Sequence, residues 1–164
     1  MVGEDAHVIA LAVENRPGII SRIADAFRRR LINIETIAIG KAEINGISRI
    51  TITLKCDDAT AKQVVKQIRK MVDVIEAKEL KVSNSILREL ALIKIEAKDP
   101  DNRSEILQLV RTFKAHVIDV SRDSLIVQIT SDPDGINAFI DLLRKFNVIE
   151  IARTGIVAIE RGLE

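Results

Sequence analysis

The sequence predicts an α+β chain of two tandem βαββαβ units, each an antiparallel sheet carrying two helices on one face. Two observations carry that expectation. Apolar spacing switches between period 2 and period 3.6 in a fixed order through about 80 residues, then does so again. The helix-spaced apolar sets of the first half also recur in the second. Ile20, Ile23, Ala24 and Phe27 match Ile106, Leu109, Val110 and Phe113, 86 positions on. Ala61, Val64, Val65 and Ile68 match Ile136, Phe139, Ile140 and Leu143, 75 positions on. The falling offset implies a shorter strand-hairpin region in the second copy.

Taken in order, residues 7–13 form a short apolar run typical of a buried strand. Pro17 suits the first turn of a helix, and the Ile20 to Phe27 set is one face of it. From Asn33 the period shortens, with Ile37 and Ile39 alternating. Asn45-Gly46 is a hairpin signal because both residues tolerate positive φ. Ile50, Ile52 and Leu54 then share one side of the returning strand. Asp57-Asp58 opens the second helix and Arg69-Lys70 closes it, each charge matched to the helix dipole. Residues 72–80 read as the last strand. In the second half, residues 91–97 are a strand and the set from Ile106 marks a helix. Residues 117–120 and 125–129 form a hairpin about Arg122-Asp123. Asp132-Pro133 caps a helix, and residues 148–159 supply the closing strand or strands. The order is that of ferredoxin-like units. The polar break Val82-Ser83-Asn84-Ser85 divides them, giving domains at 1–81 and 86–164.

A chain of 164 residues suits one ordinary domain or two small ones. Lys+Arg 25 against Asp+Glu 24 leaves a net charge of +1, which argues against broad affinity for nucleic acid or an anionic membrane. There is no Trp or Tyr to stack on bases. The single cysteine, Cys56, lies in an apolar run, reads as a small buried hydrophobe and fits a reducing compartment. The first residues, Met1-Val2-Gly3-Glu4-Asp5, lack the basic and apolar blocks of a leader, and no apolar stretch approaches the roughly 20 residues of a span. A soluble, cytoplasmic protein is expected.

The usual catalytic constellations are missing. His7 and His116 are isolated and lack a second ligand at metal spacing. Phosphate-binding glycine loops and a nucleophile elbow are absent. Acid pairs such as Asp57-Asp58 and Asp99/Asp101 sit at predicted helix starts, where capping explains them. Arg28-Arg29-Arg30 reads as the cationic last turn of the first helix. An RNA-binding βαββαβ domain carries aromatics on its sheet, and residues 46–54 contain none.

One turn is chemically unusual: Glu14-Asn15-Arg16-Pro17-Gly18-Ile19-Ile20. A helix cap accounts for every residue type in it. So does a ligand site, since a helix N-terminus offers unpaired N–H groups to a carboxylate. Gly18 lets a ligand approach the backbone, and the Asn15 amide matches both the ammonium and the carboxylate of an amino acid. Spacing does not separate these two readings.

Asn15-Arg16-Pro17-Gly18, followed by a helix and Asn33-Ile34-Glu35, resembles an ACT domain. With residues 48–52, 72–75, 88–95, 118–120 and 152–155, the chain resembles the small regulatory subunit of acetohydroxyacid (acetolactate) synthase along nearly its whole length. The resemblance implies a non-catalytic subunit that stimulates a separate catalytic large subunit and confers feedback inhibition by valine in branched-chain amino acid synthesis. It implies no cofactor in this chain; thiamine diphosphate, magnesium and FAD are expected only on the catalytic partner. It implies a homodimer of side-by-side ACT domains. The implied effector contacts are Asn15 and Gly18 of one protomer, with backbone help from its Ile19 and Ile20, and Asn33 from its neighbour. The strand after the first helix falls at a sheet edge, and pairing it with a symmetry mate removes that exposure. The second unit reads Lys98-Asp99-Pro100-Asp101-Asn102-Arg103-Ser104 at the equivalent turn, so no amino acid is expected there. A stand-alone ACT sensor remains the alternative.

Overall fold

The computed structural model describes residues 6–162, so Met1–Asp5, on which the leader reading rests, lie outside the described residues. The first unit contains β1 (Ala6–Glu14), α1 (Ile19–Arg28), β2 (Ile34–Lys41), β3 (Ile47–Lys55), α2 (Asp58–Ile68) and β4 (Val74–Leu80). Its strands are antiparallel in the order β2-β3-β1-β4, which leaves β2 at an edge. A short 3-10 turn at Val82–Asn84 occupies the expected polar break. The second unit contains β5 (Ser85–Glu96), α3 (Pro100–Thr112), β6 (His116–Val120), β7 (Ser124–Ser131), α4 (Pro133–Leu143) and β8 (Val148–Arg153), in the order β6-β7-β5-β8. A last strand, β9 (Val157–Glu160), pairs with β5.

Cross-strand register explains each core. Ile9 faces Ile52 and Leu11 faces Ile50, so all four point to one side of the first sheet. Ile23 and Phe27 of α1 and Val64 and Ile68 of α2 seal that side. Burying each such side chain contributes about 1.5–3 kcal/mol. Ile93 facing Val127 and Ile95 facing Leu125 play the same part in the second sheet, under Ile106, Ile136 and Phe139. Asp57, Asp99 and Asp132 cap α2, α3 and α4, accepting from the N–H groups of Thr60, Asn102 and Gly135. The Thr60 hydroxyl and N–H hold the Asp57 carboxyl below its ordinary value.

The expected faces of α2 and α4 are the buried ones. That of α1 is not: Ile19, Ile23, Ala26 and Phe27 are buried, while Ile20 and Ala24 are exposed. The helix begins at Ile19, so Pro17 lies in the turn before it rather than in its first turn. The offset between the two copies also differs from 86. Leu31 and Lys114, 83 residues apart, both take φ 54. The N–H that follows each bonds back five residues, Ile32 to Phe27 and Ala115 to Val110. Pro17 therefore corresponds to Pro100. The two offsets differ by almost one helical turn, so both align apolar positions on one helix face. The Asn45-Gly46 hairpin forms, but only Gly46 takes positive φ, because five residues rather than two connect β2 to β3.

The largest departure concerns the chain's end. Residues 155–162, placed by the sequence pattern in the second domain, pack in the first unit, and the division falls between Leu87 and Arg88. Val8, Ala10 and Leu80 point away from the helices and are covered by Leu87, Ile156 and Ala158. Arg49 donates to the Ala158 carbonyl at 3.3 Å, and Lys78 pairs with Glu160, whose carboxylate raises the Lys78 pKa. Gly155 takes φ +78 and lies so close to β2 that a Cβ would stand 3.2 Å from Thr36 Cβ. Periodicity reports which way a short strand faces, not which sheet it covers. Among the described residues no helix is long and apolar enough to cross a membrane.

Candidate functional site at the start of the first helix

The turn between β1 and α1 is pinned from two sides. Asn15 N–H donates to the Gly46 carbonyl at 2.8 Å, and Glu14 N–H donates to the Asp73 carbonyl at 2.9 Å. The hairpin and the start of β4 thus hold the backbone while the side chains of Asn15, Arg16 and Pro17 face solvent. Gly18 is the helix N-cap with φ 83 and ψ −5, a left-handed conformation that disfavours any Cβ.

No side chain caps α1, in contrast to the three aspartate-capped helices, and its first turn carries no acid. The first intrahelical bond runs from Arg22 N–H to Gly18 carbonyl. The N–H groups of Ile20 and Ser21 are left at the helix end with the positive pole of the dipole behind them. Asn15 does not act as the cap that one reading assigned it. Asp73, buried in the rim, accepts from Arg22 and lies 3.8 Å from the Arg16 guanidinium. Arg16 also pairs with Glu14 at 2.7 Å. Sequence reasoning assigned no role to Asp73 or Arg22, and to Gly46 only that of a hairpin residue. The resemblance stretch 72–75 contained Asp73, but nothing local marked it as the buried anchor of two arginines.

Asn15, Gly18, Ile19 and Ile20 therefore converge. Ile19 is only 3% exposed, so its side chain belongs to the core and only its backbone can serve a ligand. Ile20 is 38% exposed and keeps an apolar surface beside the turn. Asn33 does not join them within the chain. It follows the other end of α1, a helix of 10 residues that spans about 15 Å. There it lines an open depression of about 440 Å³ with Ala24, Leu31 and Ile34. On the edge strand β2, Ile37 and Ile39 are likewise left uncovered.

The second unit closes the equivalent corner with its own side chains. Asp99 caps α3, and the Arg103 guanidinium donates to the carbonyls of Ala97, Ser121 and Arg122. His7 is buried between the Glu79 carboxylate at 2.6 Å and the Cys56 carbonyl at 2.9 Å. Cys56 itself packs half-buried against the first core. Among the described residues no group of three or more His, Cys, Asp or Glu is placed to hold a metal ion.

Residues 9–76 match a family model described as AHAS small subunit-like ACT domain, and residues 88–162 match one described as small subunit of acetolactate synthase. The chain is 46% identical over 156 residues to the probable acetolactate synthase small subunit of Archaeoglobus fulgidus, covering 95% of this chain and 97% of that one. It is 41% identical over 162 residues to the acetolactate synthase small subunit of Mycobacterium leprae, covering 99% and 95%. The crystal structure of the Thermotoga maritima acetolactate synthase small subunit superposes with a TM-score of 0.88 at 41% identity, over 97% of this chain and 99% of that one.

Proposed function

The chain belongs to the acetolactate synthase small-subunit family, and from that premise we propose that it is the regulatory subunit of the enzyme, binding valine at the start of α1. It activates a catalytic large subunit and relays feedback inhibition to it. Thiamine diphosphate, magnesium, FAD and the chemistry belong to that partner. The observation that carries the reading is the uncapped N-terminus of α1 behind a left-handed Gly18. A carboxylate there supplies the missing acceptor for Ile20 and Ser21. The Asn15 amide reaches the ammonium, and Ile20 meets the isopropyl group.

The separation of Asn33 from the turn supports a shared site. Two protomers joined along β2 bring the Asn33 of one to the Asn15 and Gly18 of the other, with Ile37 and Ile39 covered by the contact. Valine then stabilises one arrangement of the dimer, and the catalytic subunit favours the other. Reciprocity requires catalytic-subunit engagement to weaken valine binding by the same factor.

Calorimetric titration of the isolated chain tests this. Valine is expected to give a saturating heat. Leucine and isoleucine, each one methylene larger, are expected to bind more weakly by about 1–3 kcal/mol. Absence of heat from all three, with Asn15→Ala leaving inhibition of the holoenzyme unchanged, removes the site from this turn.

A further inference from the structure

The helix layer of the first unit is far more basic than the chain as a whole. In α1 and α2 with the turns that end them, residues 19–33 and 58–71, eight cations face two acids, Asp25 and Asp58. The whole chain carries +1. The corresponding stretches of the second unit, residues 100–115 and 133–145, hold five cations and four acids. The imbalance is thus not a requirement of this helix arrangement.

Two of the eight cations pair with carboxylates, Arg22 with Asp73 and Arg28 with Asp25, and two donate to backbone carbonyls, Arg29 to that of Asp25 and Arg69 to that of Ala77. Arg29, Arg30, Lys62, Lys66 and Lys70 are exposed and have no carboxylate within ion-pair distance among the described residues. They form one patch, because Arg30 reaches across to Gln63 at 2.8 Å and Gln67 at 3.4 Å, on the outward side of α2. Lys62, Lys66 and Lys70 repeat at i, i+4, a spacing at which like charges repel. The dipole favours a cation or two at a helix end, but not this run without acids. The patch therefore opposes local stability, and an anionic partner relieves it.

We propose that this surface docks an acidic face of the catalytic large subunit, an inference that rests on the partner assigned above. Nucleic acid fits less well: the chain has no Trp or Tyr, Phe27, Phe139 and Phe146 are buried, and Phe113 packs against the second core. A lipid surface is the competing occupant that the vesicle arm of the test addresses: α2 itself presents no exposed large apolar side chain, while Leu31 and Val72 beside the patch are exposed. Opposed charges at the rim of such a contact speed association and make it salt-dependent.

The test compares the full chain with Lys62→Glu/Lys66→Glu/Lys70→Glu and with the milder Lys62→Gln/Lys66→Gln/Lys70→Gln, measuring affinity for the purified catalytic subunit from low to high salt. Arg111→Glu on α3 is the control. The unaltered chain and the control are expected to weaken as salt rises. The glutamate variant is expected to bind about tenfold or more weakly at low salt and to lose most of the salt dependence, with the glutamine variant between. Valine calorimetry on each variant, expected unchanged, shows that the fold is intact. Equal affinities of variants and unaltered chain at low salt overturn the proposal. So does a loss confined to binding of single-stranded RNA or phosphatidylglycerol vesicles. If the unaltered chain binds no catalytic subunit, the assigned partner is wrong and the proposal falls with it.

Discussion

Gly18→Val is expected to abolish the valine response while leaving the fold in place. Gly18 holds φ 83 at the N-cap of α1, and no other atom lies within 4 Å of where its Cβ would stand. The cost to folding is therefore conformational. A left-handed β-branched residue loses about 1–2 kcal/mol. For a chain of this size that lowers the melting temperature by roughly 2–8 °C. The cost to the site is larger. Relaxing φ to negative values rotates Asn15, Arg16 and Pro17 away from the helix end, and a branched side chain occupies the ground from which a carboxylate approaches. Losing one or two charge-assisted hydrogen bonds, each about 1.5–3 kcal/mol, weakens valine by roughly a hundredfold or more. Calorimetry with valine, beside a thermal melt, separates the two effects. A variant that melts normally and binds valine normally contradicts the geometry.

Arg153→Ala is expected to destabilise the second unit strongly. Glu89 is buried, its side chain 1% exposed, at a position that faces the core side of β5. Arg153 of β8 meets it in a fork, Nε to Oε1 at 2.9 Å and Nη2 to Oε2 at 2.6 Å, and donates a third bond to Asn137. Removing the guanidinium leaves a buried carboxylate without its counter-charge, which costs about 3–5 kcal/mol. Arg153 is about one-third exposed, so water reaches part of the gap and the lower end of that range applies. Glu89→Gln combined with Arg153→Leu is expected to recover most of the loss, because no buried charge remains. Urea unfolding of the single and double variants measures both; a single variant within about 1 kcal/mol of the unaltered chain shows that the pair is not a structural tie.

The parts of this fold that the sequence made legible are those governed by local periodicity and capping. The buried faces of α2 and α4 follow from four apolar positions each, and their aspartate caps from residue type. α1 was harder, because Ile19-Ile20 and Ala24-Ala26 offer two apolar stripes and only the tertiary packing chooses Ile19 and Ala26. The return of Ile156 and Ala158 to the first sheet was not legible, since nothing in a four-residue strand names its partner. Asp73 and Glu89 were invisible for a related reason. A buried acid is recognised only when the arginines that neutralise it, Arg22 and Arg153, are brought across 51 and 64 residues. At the turn itself, Asn15, Pro17 and Gly18 could be read from one heptapeptide, but the exposure of Ile20 could not, since the apolar spacing placed it on the helix face expected to be buried. That Asn33 lies at the far end of α1 follows from the helix length.

That separation makes the shared site directly testable with mixed dimers. Asn15→Ala protomers and Asn33→Ala protomers are each purified as homodimers, then exchanged with differently tagged chains to isolate the mixed dimer. In either homodimer both sites lack one asparagine. In the mixed dimer one site lacks both and the other is intact. Calorimetry is expected to find valine binding strongly weakened in both homodimers and restored at one valine per mixed dimer. Binding that stays weak in the mixed dimer, or an Asn33→Ala homodimer that binds valine as the unaltered chain does, contradicts a site built from two protomers.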